Sequence, residues 1–159
     1  MSEFVNYLKR GVELPIGCKD LIDVLPPGEA ACFPAEGLAR IEHHVSRLLQ
    51  SLSRGGSVWI NVIAAPITLG LVRRKGALMA LTFVSKDRQQ QVSSILHEAG
   101  IQPTQDDGIK GPPFTRFFFF VLAADAASAT WTVSKLLREG FGLPENVHLE
   151  FRYREKIAV

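Results

Sequence analysis

Cysteine is scarce in this sequence, with Cys18 and Cys32 alone. Two thiols cannot build a disulfide framework, and without a Cys-x-x-Cys or a His-x-x-x-His they do not make a structural zinc site. Two unlinked thiols in a reducing compartment are the expectation, and neither a metal nor any other cofactor is expected. Excess charge of one sign is lacking as well. The 18 Lys and Arg stand against 16 Asp and Glu, and a net charge of +2 does not by itself point to nucleic acid or to a membrane surface. Long apolar runs are missing. The longest weakly charged stretch, Gly55 to Val72, is broken by Asn61, Pro66 and Gly70 and reads as two strands, not as a membrane helix. The segment MSEFVNYLKRG has no apolar h-region, so no secretory signal is expected and the cytoplasm is the expected compartment. There is no internal repeat and no low-complexity segment.

A catalytic constellation is also missing. Gly17-Cys18-Lys19-Asp20 sets a cysteine at a potential helix start, where the dipole would lower its pKa, but no positioned base accompanies it. His43 and His97 point away from the apolar stripes of their helices, His44 flanks its stripe, and His148 falls on the polar side of a strand. Neighbouring histidines on a helix diverge by about 100° and cannot chelate one ion together. The reading leans against an enzyme.

What is present is apolar surface. At 47% hydrophobic and 21% charged residues, the chain has the balance of a soluble globular protein of one domain. Residues 1–34 carry many prolines and glycines beside Phe4, Tyr7, Leu8, Leu14, Ile16, Leu21 and Leu25. That is too much apolar surface for a free linker, so an N-terminal arm packed on the domain is expected, with one short helical turn over Lys19 to Leu25.

In 35–52, Leu38, Ile41, Val45, Leu48, Leu49 and Leu52 recur at helical spacing. Residues 58–64, 67–73 and 77–84 are branched, apolar and separated by short breaks, which predicts an antiparallel meander. A helix over 86–99 capped by Ser85, a phenylalanine strand, a helix over 126–140 capped by Asp125 and a strand over 147–154 complete the order. The expected fold is a single α+β domain, residues 35–159, with a mixed five-stranded sheet and three helices packed against it. One helix, a three-stranded meander and a second helix is an order similar, in topology alone, to dimeric secretion-chaperone-like folds.

The stretch FTRFFFFVLAAD sets four phenylalanines, Phe117 to Phe120, in a row. Alternation sends them to both faces of a sheet, and leaving two on a wet face would forgo about 3–6 kcal/mol. A central strand covered on both faces is therefore expected. The strand–helix–strand handedness rule gathers the helices at 86–99 and 126–140 on one face. The other face is left to the first helix or the arm, inside a homodimer.

Among loops, IQPTQDDGIKGPPF is the longest, and long loops in compact domains are often functional. Asp106, Asp107 and Lys110 are its candidate ligand or partner residues. Gly108-Ile109-Lys110-Gly111 resembles the backbone clamp of KH RNA-binding domains, but Pro112 and Pro113 lead into a strand where that family has a helix. Basic residues form two groups, Arg73-Arg74-Lys75 and Arg152, Arg154, Lys156. A hairpin tip and a wet strand face account for them structurally. Were they to adjoin in space, they would attract acidic partners.

The reading that fits best is a non-enzymatic, homodimeric protein-interaction module. An enzyme or small-ligand binder with its site under the 101–114 loop is the alternative. A nucleic-acid binder using Arg73, Arg74, Lys75, Arg152 and Arg154 is the weaker alternative.

Overall fold

A computed structural model of the chain describes residues 29–50, 56–62, 65, 67–74, 76–106, 108–109, 111 and 113–154. In chain order the elements are β1 (Glu29–Phe33), α1 (Ala35–Gln50), β2 (Ser57–Val62), β3 (Ile67–Arg74), β4 (Ala77–Ser85), a 3-10 turn (Lys86–Arg88) leading into α2 (Gln89–Glu98), β5 (Thr104–Asp106), β6 (Thr115–Val121), α3 (Ala126–Lys135), a π-type turn (Leu136–Gly140) and β7 (Val147–Arg154). The strands make one seven-stranded sheet in the order β1-β7-β2-β3-β4-β6-β5. Every pair in it is antiparallel. The α+β class is as expected, whereas the five-stranded mixed sheet is corrected to seven antiparallel strands.

Both added strands are short. β1 lies in what read as the arm, because its five residues, EAACF, carry too little pattern to separate them from the punctuation around them. The remainder of the arm, including the turn expected over Lys19 to Leu25, lies outside the described residues. β5 is the three-residue stretch Thr104–Asp106 inside the long loop, which is thereby reduced to the connection of a β5–β6 hairpin.

The meander is where the branched runs placed it, turning between β3 and β4 at Gly76, whose φ of +79° is open to glycine without strain. Asp125 caps α3 as its position implied, its carboxylate accepting from the Ser128 backbone N–H at 3.0 Å. Ser85 does not act as a cap, for its side chain makes no capping hydrogen bond and the chain enters α2 through the 3-10 turn. At the other end of α3 the helix widens, with the Phe141 N–H reaching the Leu136 carbonyl at 2.8 Å. On α1, Ile41, Val45 and Leu48 are buried as the spacing predicts, but Leu38 is 41% exposed.

The three helices among the described residues cover one face. Ile41 and Val45 of α1, Val92 and Leu96 of α2, and Ala129 and Val133 of α3 share one core with Val58, Ile60, Leu69, Leu71, Phe118, Phe120, Leu149 and Phe151. The expectation that α1 covers the opposite face is therefore corrected. The handedness rule concerns crossovers between parallel strands, and the described strands include no parallel pair on which it could act.

Candidate functional site: the open face of the sheet

The face away from the helices is built from cross-strand rungs that the register fixes. One rung runs Arg154–Ser57–Val72–Met79–Val121. The next runs Arg152–Trp59–Gly70–Leu81–Phe119–Thr104. A third holds Ala30–Glu150–Asn61–Thr68 on one side and Phe83–Phe117–Asp106 on the other. Chemistry changes along these rungs. Towards β7 and β2 they are polar, and towards β4 and β6 they are apolar.

On the apolar side, Leu81, Phe117, Phe119 and Ile109 form a small second core, with Trp59, Val72, Met79 and Phe83 partly buried against it. Phe117 and Phe119 are 1% and 2% exposed, and their neighbours Phe118 and Phe120 are equally hidden on the helix side at 0% and 2%. Both faces of the phenylalanine strand are thus covered, as expected, although β6 is the strand next to the edge and not the middle one. The cover comes from one chain. Ile109 descends from the hairpin connection onto the cluster, Phe83 meets the Phe117 ring edge-on at 5.3 Å, and a Cβ on Gly111 would overlap the Phe83 ring. What stays open is the outer rung, where Val121 is 52% exposed beside half-buried Met79 and Val72.

Trp59 divides the two halves. Gly70 lacks the side chain that would stand beneath the indole, since a Cβ there would lie 2.6 Å from Trp59 Cζ3 and 3.1 Å from Leu81 Cδ1. On the polar side the Thr68 hydroxyl donates to Asn61 Oδ1 at 2.8 Å, which accounts for a polar residue in an otherwise apolar strand. The Arg152 guanidinium donates to Glu150 Oε1 at 2.6 Å. Cys32 is half-buried and directs its thiol towards Asn146 Oδ1 at 3.9 Å, whereas Cys18 lies outside the described residues.

Of the candidate loop residues, Asp106 ends β5 and accepts the Gly108 N–H at 2.8 Å, a turn contact. Asp107 and Lys110 lie outside the described residues. Two clefts lie elsewhere. One of about 440 Å³ runs between α2 and the end of α3, lined by Gln90, Ser94, Glu98, Lys135 and Glu139. Another of about 370 Å³ lies beside Ile101, Ala127 and Trp131. In the first, Lys135 is held by Glu98 at 3.2 Å and Glu139 at 3.7 Å. Among the described residues no group of three or more His, Cys, Asp and Glu could hold a metal ion, and no helix is long and apolar enough to cross a membrane.

One residue that the helical pattern left as a flank is deeply buried. His44 is 1% exposed, stacks on Phe151 and Tyr153 at 5.5 and 6.1 Å, and among the described residues has no hydrogen-bond partner on either nitrogen. Its Nε2 lies 3.8 Å from Glu29, which is itself paired with Arg40 at 3.0 Å. Burial pushes the His44 pKa down from 6.5 to about 4, against the pull of Glu29 and with help from His43, Arg47 and Arg40. His43 and His97 are exposed, as their positions implied.

No family model, no curated protein and no solved structure matches the chain.

Proposed function

We propose that the chain is a non-enzymatic protein-interaction module that pairs with a second copy of itself through the β3–β4–β6 part of its open face. The observation that supports this reading is the rung Val72–Met79–Val121. It continues the second core outward, no described helix covers it, and its outermost member is 52% exposed. A two-fold axis brings such a patch against itself, apolar row on apolar row. The buried phenylalanines give this reading no support, since one chain already covers them. Analytical ultracentrifugation over a dilution series tests it. The expected result is a reversible dimer that Val121→Asp converts to a monomer without loss of helix signal. A wild-type chain that sediments as a monomer at every concentration overturns the reading.

A further inference from the structure

His44 sits where three elements meet, on α1, stacked on Phe151 and Tyr153 of β7, with Glu29 of β1 at its side. The Glu29 carboxylate is shared unevenly. Its Oε2 lies 3.0 Å from the Arg40 guanidinium, while its Oε1 stops 3.8 Å from His44 Nε2, too far for a hydrogen bond. On the other flank the Arg47 guanidinium lies 4.0 Å from the centre of the Tyr153 ring. Arg40 stands four residues before His44 on the helix and Arg47 three after it, spacings at which like charges meet and repel. The His43 ring lies 5.4 Å away and also opposes a charge on His44. Among the described residues Glu29 alone draws a proton to this imidazole, and burial outweighs that pull. The closed fold therefore holds His44 neutral, and a proton there finds no acceptor within hydrogen-bond distance among the described residues.

We propose that His44 is the proton-sensitive trigger of a local opening, in which β1 and α1 part from β7 as one unit, Glu29–Gln50, while the β3–β4–β6 part of the sheet stays closed. The two elements are packed on each other. A Cβ on Gly37 of α1 would lie 3.1 Å from Phe33 Cβ of β1, and the Leu38 N–H donates to the Pro34 carbonyl at 3.1 Å. Contiguous units of this kind are the ones that open below the global limit. The sign follows from where His44 is wet. In the opened unit it takes up a proton near its ordinary pKa of 6.5, and in the closed fold only near 4. Acid therefore favours the open form as pH falls below about 6.5, by at most about tenfold per pH unit and roughly 300-fold in all, levelling off below about 4. Opening bares Phe151, Tyr153 and the β7 edge that β1 fills. The device lies on the helix side of the sheet and does not involve the self-association rung.

Native-state hydrogen exchange of the full chain, read residue by residue at pH 7.5 and pH 5.0 and corrected for intrinsic rates, tests the proposal. The hydrogen-bonded amides of β1 and α1 are expected to share one opening constant at pH 5.0, at least about tenfold above that of the β4 and β6 amides. That constant is expected to be about 30-fold larger at pH 5.0 than at pH 7.5. In His44→Phe, which keeps a ring on Phe151, the pH dependence is expected to vanish. Should that variant fail to fold, His44→Gln, neutral at both pH values, is read in its place. A single opening constant for β1, α1, β4 and β6 overturns the proposal, because the molecule then opens as a whole. An opening constant of the β1–α1 unit that is the same at both pH values, or a rise that persists without His44, overturns it as well.

Discussion

The two faces of the sheet hide the same side chains by different means. Phe118 and Phe120 point into a core closed by three helices, while Phe117 and Phe119 are hidden beneath Ile109, with Leu81 and Phe83 at their sides. Fractional exposure barely separates the two sets, at 0% and 2% against 1% and 2%. What separates them is the depth of material above. A helix layer cannot move aside without breaking its own packing, whereas the cover that the described residues supply here, Ile109 from a hairpin connection, can adjust. Equal burial therefore need not mean equal energetic weight.

The largest effect expected is at Phe118. Phe118→Ala leaves a cavity under helices that cannot collapse into it and should cost about 4–5 kcal/mol, against about 3 kcal/mol for Phe119→Ala beneath the looser cover. Urea unfolding of both variants decides it, and equal losses would show that the small cluster is as rigid as the main core.

A second test reads a polar group on the helix side. Folded His44 has its pKa lowered to about 4 from 6.5, so below about pH 6.5 the unfolded chain takes up a proton that the folded chain refuses. Stability contributed by neutral His44 is full above that pH, declines as pH falls from about 6.5 to about 4, and levels off below. The slope is at most about 1.4 kcal/mol per pH unit, and the total loss is roughly 3 kcal/mol. Thermal unfolding across this window should show the decline in the wild type and a flatter profile in His44→Phe.

Gly70→Ala probes the open face alone. The new methyl meets the Trp59 ring, and because Trp59 is only half-buried the ring can shift, so a cost of about 1–2 kcal/mol is expected. A shift in tryptophan emission would accompany it. A loss above about 3 kcal/mol would mean that Trp59 is held as firmly as a core residue. Smallest is Asp125→Ala, which removes the α3 cap and should cost about 1 kcal/mol by the same titration.

Much of this architecture was legible from pattern. The meander showed because β2, β3 and β4 are long, branched and cleanly interrupted, and α3 began where Asp125 said it would. β1 and β5 were not legible, since five and three residues do not complete an alternation that rises above their flanks. Their strand character comes from partners distant in sequence, β7 and β6. The clean alternation of β7 pointed to a strand with one wet face, and its His148 is exposed while Leu149 and Phe151 are buried. The open face as a surface was hidden for another reason. Its rungs join residues from all seven strands, and register is a property of pairing, which no single strand records. The adjacency of positions 73–74 and 152–154 could be stated only as a condition until β2 was seen between them.

The position of β7 has a consequence for synthesis. β1 pairs with β7, as does the outer side of β2, so a growing chain holds its earliest described strand and one flank of its meander without partners until Val147–Arg154 has left the ribosome. Through that interval the backbone amides and carbonyls of β2 are a template for any extended peptide nearby. Closing the gap also requires the strand pairing most distant in sequence among the described residues, and such pairings form slowly. The last strand works as a keystone, and a chain interrupted before Val147 would leave β1 without its partner and bare a flank of β2 that the finished sheet covers.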